Sequence, residues 1–145
     1  MPIKLEMSTK NKRVVVVGAT GYIGKFVVQE SVRQGYKTVA IVRPGSEPKD
    51  DYFKGAEVIT GDVCDEQNLV DTAFAQKADV VISCLASRSG VKADSYKIDY
   101  QATLNSLNAA RKTGSAQFIL LSAYCVQKPI LQFQNAKLEI MFAFT

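Results

Sequence analysis

Short apolar runs alternate with amphipathic stretches along this chain of 145 residues. Val14 to Val17, Thr38 to Val42, Val80 to Ser83 and Phe118 to Leu121 are near-continuous apolar runs. Strands buried on both faces have this pattern, so it predicts a parallel sheet covered by helices. Strands are expected at about 13–18, 37–43, 56–60, 79–84 and 117–122. The first helix is expected over about Tyr22 to Gln34, with Ile23, Phe26, Val27 and Val32 on its inner face and Gly35 as its stop. A second is expected over about Glu66 to Gln76, with Asp65 as N-cap and Leu69, Val70, Ala73 and Phe74 as its apolar stripe. The third runs from about Ser95 to Lys112, with Tyr100, Leu104 and Leu107 inward and Gly114 as its stop. A last helix begins near Leu131. Pro44 to Pro48 and Ser87 to Gly90 read as loops.

The first strand runs straight into Gly18-Ala19-Thr20-Gly21-Tyr22-Ile23-Gly24, and a helix follows at once. A diphosphate needs this arrangement. Its oxygens must come close to backbone N–H groups, where a Cβ would block the approach. The helix N-terminus adds unpaired donors and the positive end of a dipole. The candidate cofactor-binding residues of this turn are Gly18, Thr20, Gly21, Tyr22, Ile23 and Gly24. A tight strand–helix turn without a ligand is the competing reading.

With right-handed crossovers the alternation gives an α/β fold, a doubly wound parallel sheet of Rossmann-like order 3-2-1-4-5. A full sheet of this kind continues to a sixth strand. The chain is therefore expected to be incomplete at its C-terminal edge. Residues 1–12 read as a flexible tail and 13–145 as one dinucleotide-binding domain whose substrate part is absent. The fifth strand would be an uncovered apolar edge, which invites self-association.

Composition narrows the field. The chain is 47% hydrophobic, as a globular domain is. It has no apolar run of spanning length, so no transmembrane segment is expected. Its first residues lack the apolar core of a secretory signal, while a processed transit peptide would leave no trace. The net charge is +4, mild and scattered. That favours an anionic cofactor without forming a nucleic-acid stripe. With no histidine in the chain, histidine triads and histidine metal sites are removed. Cys64, Cys84 and Cys125 form no CxxC pair. Cys84 and Cys125 end apolar strands and read as buried thiols in a reducing compartment.

Other candidates stand at strand ends. Arg43 ends the second strand, where an NAD-selective fold would carry Asp or Glu. Arginine there suits the 2′-phosphate of NADPH, or is a solvated surface arginine. Asp62, followed by Val63, lies after the third strand. Its carboxylate could accept from an adenine amino group or form a turn, with Asp65 competing for the helix cap. Leu85, Ala86 and Ser87 leave the fourth strand at the switch point, where small residues would let the nicotinamide ribose lie against backbone. Ser122 ends the fifth strand and Lys137 lies on the next helix. Their spacing lets both reach one cleft, as catalytic candidates. A solvated lysine is the alternative for Lys137. Phe133 stands four residues before Lys137. A tyrosine there would complete the pair of a carbonyl reductase, and phenylalanine cannot donate or accept a proton.

These residues resemble the atypical short-chain dehydrogenase/reductase family, and within it the 8-vinyl reductases of divinyl chlorophyllide. The likeness is carried by Gly18 to Lys25, by Ser83-Cys-Leu-Ala-Ser-Arg-Ser-Gly90, by Asp99 to Ser106, and by Leu120-Leu-Ser-Ala-Tyr-Cys-Val-Gln-Lys-Pro129 running into Phe133-Gln-Asn-Ala-Lys137. The resemblance implies NADPH-dependent reduction of the 8-vinyl group of divinyl chlorophyllide or protochlorophyllide to ethyl. Vinyl reduction needs no tyrosine to polarise a carbonyl. The resemblance also implies the plastid stroma in a eukaryote and the cytoplasm in a bacterium. Such reductases are longer, two-part proteins, so this chain is expected to be a partial form that does not turn over alone. A nucleotide-sensing protein of the NmrA-like kind without turnover is the alternative. A sugar-nucleotide epimerase relative is disfavoured by Phe133.

Overall fold

The computed structural model describes residues 11–49, 51–124 and 126–144, so the expected tail up to residue 10 and Cys125 lie outside the described residues. Five parallel strands form one sheet: β1 (Arg13–Val17), β2 (Lys37–Val42), β3 (Glu57–Thr60), β4 (Val80–Ser83) and β5 (Gln117–Leu120). Their order is β3-β2-β1-β4-β5, as the alternation requires. Val14 pairs in register with Thr38 on one side and Val80 on the other, so β1 is the centre of the sheet.

Because successive side chains of β1 point to opposite faces, the valine run fills two cores. Val15 and Val17 join Val39, Leu69, Phe74 and Val81 on one face. Val14 and Val16 join Val28, Ala40 and Phe53 on the other. Helix α1 (Tyr22–Arg33) covers the second of these faces, and α2 (Glu66–Asp71) and α4 (Thr103–Lys112) cover the first. Helix α3 (Lys92–Ser95) runs through a π-helical turn (Tyr96–Ala102) into α4, and α5 (Gln132–Met141) follows β5.

Several expectations are corrected. The fully buried residues of α1 are Gly24, Val28 and Ser31; of the expected inner face, Val27 packs against the core and Val32 is half-buried. Ile23 and Phe26 are exposed. The helix approaches the sheet closely at Gly24, so small residues face inward. Phe26 packs edge-on to Tyr52 at 5.3 Å instead. Helix α2 stops at Asp71, short of Gln76, although Leu69, Ala73 and Phe74 are buried as expected. On the third helical stretch, Leu107 is buried but Tyr100 and Leu104 are only partly so. The face toward the core is Asp99, Ala102, Thr103, Ser106, Ala109 and Ala110. The π-turn inserts a residue into the helical period and shifts the phase. The apolar run of β5 is not buried on both faces: Gln117 and Ile119 are exposed, and Phe118 packs against Phe144 at 5.4 Å. Among the described residues, β5 pairs with β4 alone.

Candidate dinucleotide site

The three glycines after β1 are there for different reasons. Gly18 has φ +72°, and a Cβ on it would lie 2.5 Å from the Cys84 carbonyl carbon and 2.6 Å from the Leu85 nitrogen. The exits of β1 and β4 therefore touch only because Gly18 has no side chain. A Cβ on Gly24 would collide with the Gly18 carbonyl oxygen. Gly21 is different. Its backbone is extended, and a Cβ there would meet only the Gly18 oxygen, at 3.4 Å, an ordinary contact. The protein could hold a side chain at Gly21, yet the position is bare and borders an open cleft. Gly21 is also the N-cap of α1 and makes no side-chain cap hydrogen bond, so the first N–H groups of the helix have no side-chain acceptor. A diphosphate fits this cradle in charge and in room.

The cleft has a volume of about 590 Å³, within the usual range for small-molecule sites. Gly18, Thr20, Gly21, Tyr22 and Ile23 line it, together with Leu85, Ala86 and Ser87. Arg43, Asp62 and Val63 line the end beyond β2 and β3. Of the expected cofactor-binding residues, Gly24 alone is not on the wall, because its place is taken up in packing against Gly18. The Arg43 side chain is exposed and pairs with no carboxylate among the described residues. Asp62 accepts from the Cys64 N–H at 2.9 Å, so it forms a turn while still lining the cleft. The cap of α2 is Asp65, whose carboxylate accepts from the Asn68 N–H at 3.1 Å. Two thiols also border the cleft. Burial and then the Asp62 carboxylate push the Cys64 thiol up, and burial pushes up that of Cys84.

Lys137 is not solvated. Its Nζ donates to the Leu85 carbonyl at 3.0 Å and to the Leu121 carbonyl at 3.2 Å. It also lies 3.3 Å from Asp99 Oδ1. The lysine thus ties together the exits of β4 and β5 from below the cleft. Ser122 is not brought to it. That side chain lies beyond the end of β5, is exposed and donates to the Met141 sulfur at 3.9 Å. Asp99 takes the place beside Lys137. Its other oxygen accepts from the Ser87 hydroxyl at 2.5 Å and the Ser87 N–H at 3.3 Å. Sequence reading missed Asp99. The available signal was the small-residue face Asp99, Ala102, Thr103, Ser106, on which a lone acid stands at helical spacing.

A second cleft of about 430 Å³ opens beside the first. Ser87 and Arg88 line both. Ile130, Leu131 and Phe133 give it apolar walls, so Phe133 presents no hydroxyl at the position where a carbonyl reductase would need one.

The sequence from the glycine turn to the last helix, residues 18–143, matches a family described as NAD(P)H-binding. The chain belongs to this NAD(P)H-binding family. Among its curated relatives is the chloroplastic divinyl chlorophyllide a 8-vinyl-reductase of Arabidopsis thaliana, 47% identical over 91% of this chain and 34% of that protein. The protein of the same description from Cucumis sativus is 49% identical over 90% of this chain and 33% of its own length. The chain thus spans about a third of the length of the curated relatives it matches. UDP-glucose 4-epimerase from Brucella ovis, solved in complex with NAD, shares the fold with a TM-score of 0.78. It is 24% identical, and the match covers 91% of this NAD(P)H-binding chain and 46% of that one.

Proposed function

We propose that this chain is the cofactor-binding part of an NADPH-dependent reductase acting on the 8-vinyl group of divinyl chlorophyllide or protochlorophyllide. The observation that carries this is the identity of 47–49% to two plant proteins of that description, over nine-tenths of the chain. The clefts support it. Arg43 offers an exposed guanidinium at the end of β2 that pairs with no carboxylate among the described residues, suited to a 2′-phosphate. NADPH supplies a hydride when bound. The glycine turn and the α1 N-terminus hold a diphosphate, and the small exit residues of β4 admit the rest of the cofactor to the edge of the second cleft. Phe133 lines the second cleft and offers no hydroxyl, which suits reduction of a carbon–carbon double bond: the hydride comes from NADPH, the proton from solvent, and no carbonyl needs polarising. The location follows the relatives described as chloroplastic, so the plastid stroma is the proposed compartment in a eukaryote. No helix among the described residues is long and apolar enough to cross a membrane.

A segment exchange tests the reading. Residues 13–141 would replace the matching segment of the Arabidopsis relative, and the chimera would be mixed with NADPH and divinyl chlorophyllide. Loss of NADPH absorbance together with conversion of the 8-vinyl group to ethyl is expected. A folded chimera that binds NADPH but leaves the pigment unchanged would favour a nucleotide-sensing protein.

A further inference from the structure

The strongest unexplained feature is the buried acid beneath the junction of the two clefts. Asp99 is fully buried inside a π-turn; its Oδ1 lies 3.3 Å from Lys137 Nζ as an ion pair, without a hydrogen-bond partner among the described residues, and its Oδ2 accepts from the Ser87 hydroxyl. π-turns recur where a side chain must be aimed. Ser87 is the hydroxyl that lines both clefts. A serine hydroxyl has one proton and two acceptor sites. The proton is committed to Asp99 at 2.5 Å. The Ser95 hydroxyl, itself buried, lies 3.3 Å from the same oxygen and takes one acceptor site. One acceptor site is left at the junction.

We infer that Ser87 is the hydrogen-bond acceptor that holds the nicotinamide-ribose half of the dinucleotide at the edge of the second cleft, and that Asp99, paired with Lys137, is the positioning residue that keeps the hydroxyl in that sense. The inference rests on the NADPH reading above. The adenine half belongs to the other end, where Arg43 and Asp62 stand, with the glycine turn between them. The donors Ser87 would meet are the hydroxyls of a ribose or the N–H of a carboxamide. Lys137 acts only through others. Its Nζ donates to two carbonyls and forms an ion pair with the Asp99 carboxylate at 3.3 Å, and it is not on the wall of either cleft.

Two probes separate the halves. NADPH carries the nicotinamide-ribose half, and 2′,5′-ADP does not. Both would be titrated against the wild-type chain, Ser87→Ala, Ser87→Thr and the double variant Asp99→Asn/Lys137→Met, which removes both buried charges together. Ser87→Ala should weaken NADPH by about three- to tenfold, the span of one ordinary hydrogen bond. Its affinity for 2′,5′-ADP should stay unchanged, and Ser87→Thr should restore NADPH. The double variant should weaken NADPH alone, as Ser87→Ala does. Wild-type affinity for NADPH in Ser87→Ala, or equal weakening of both probes, would overturn the inference while leaving the NADPH reading intact. A wild-type chain that binds neither probe would overturn that reading, and this inference with it.

Discussion

Lys137 Nζ lies 3.3 Å from Asp99 Oδ1 in the interior, where both side chains are almost wholly out of water. The ion pairs Arg33–Glu30 and Lys112–Glu66 are on the surface by comparison. Surface pairs contribute little, whereas breaking a buried pair leaves an uncompensated charge. Lys137→Ala is therefore expected to destabilise the fold by about 3–5 kcal/mol. Asp99→Asn/Lys137→Met, which orphans no charge, should be the milder change. Urea unfolding of the two variants decides. A loss below about 1 kcal/mol for Lys137→Ala would return that lysine to an ordinary surface charge.

Gly21 and Gly24 should separate ligand binding from folding. A side chain at Gly21 meets only one protein atom at ordinary contact distance, so Gly21→Val should fold with a sheet like that of the wild type. It should bind no dinucleotide, because the valine fills the cradle. Gly24→Ala strikes the Gly18 carbonyl and should unfold more easily than the wild type. Circular dichroism and a cofactor titration check both. Wild-type NADPH binding by Gly21→Val would make the turn purely structural.

Cys64 gives a chemical readout of the same cleft. It is exposed and on the wall, and its thiol is raised above the ordinary value of 9.0. A raised thiol is mostly protonated at neutral pH, so alkylation should be slow at pH 7 and still accelerating above pH 9. NADPH should slow it further by covering the cleft. Peptide mass analysis with and without NADPH follows the modification. Equal rates in both would place the cofactor elsewhere.

The outer side of β5 predicts self-association. Ile119 is exposed on that strand, and Met141 and Phe142 are exposed at the end of α5. An apolar edge strand pairs readily with another chain unless a charge interrupts it. Sedimentation should show concentration-dependent association of the chain, reduced in Ile119→Lys. A monomer at every concentration would remove the edge from consideration.

Much of this was legible in the sequence. The valine run of β1 and the spacing of the apolar segments predict a parallel sheet and its order, since continuous burial leaves few other arrangements. The glycine turn and its flanking elements place the cleft, because Gly18 and Gly24 are demanded by contacts that the strand–turn–helix connection creates. Helix faces were harder. In α1 and in the helix bearing Asp99, the most buried positions include small residues, so counting large apolar side chains misplaces part of the face. The π-turn then shifts the phase in a way no periodicity of 3.6 residues reveals. Ser122 departs from its expected place for a simpler reason: β5 ends at Leu120, so strand alternation no longer sets where that side chain points.

The central claim is that this cleft takes NADPH and reads its 2′-phosphate through Arg43. Calorimetric titration of NADPH and NADH into the wild-type chain and into Arg43→Ala tests it most directly. One charge-assisted contact is worth about 1.5–3 kcal/mol, so the wild type should prefer NADPH by roughly tenfold or more. In Arg43→Ala the preference should fall to near unity through loss of NADPH affinity, with NADH unchanged. Equal affinities in the wild type, or a preference that survives in Arg43→Ala, would contradict the account.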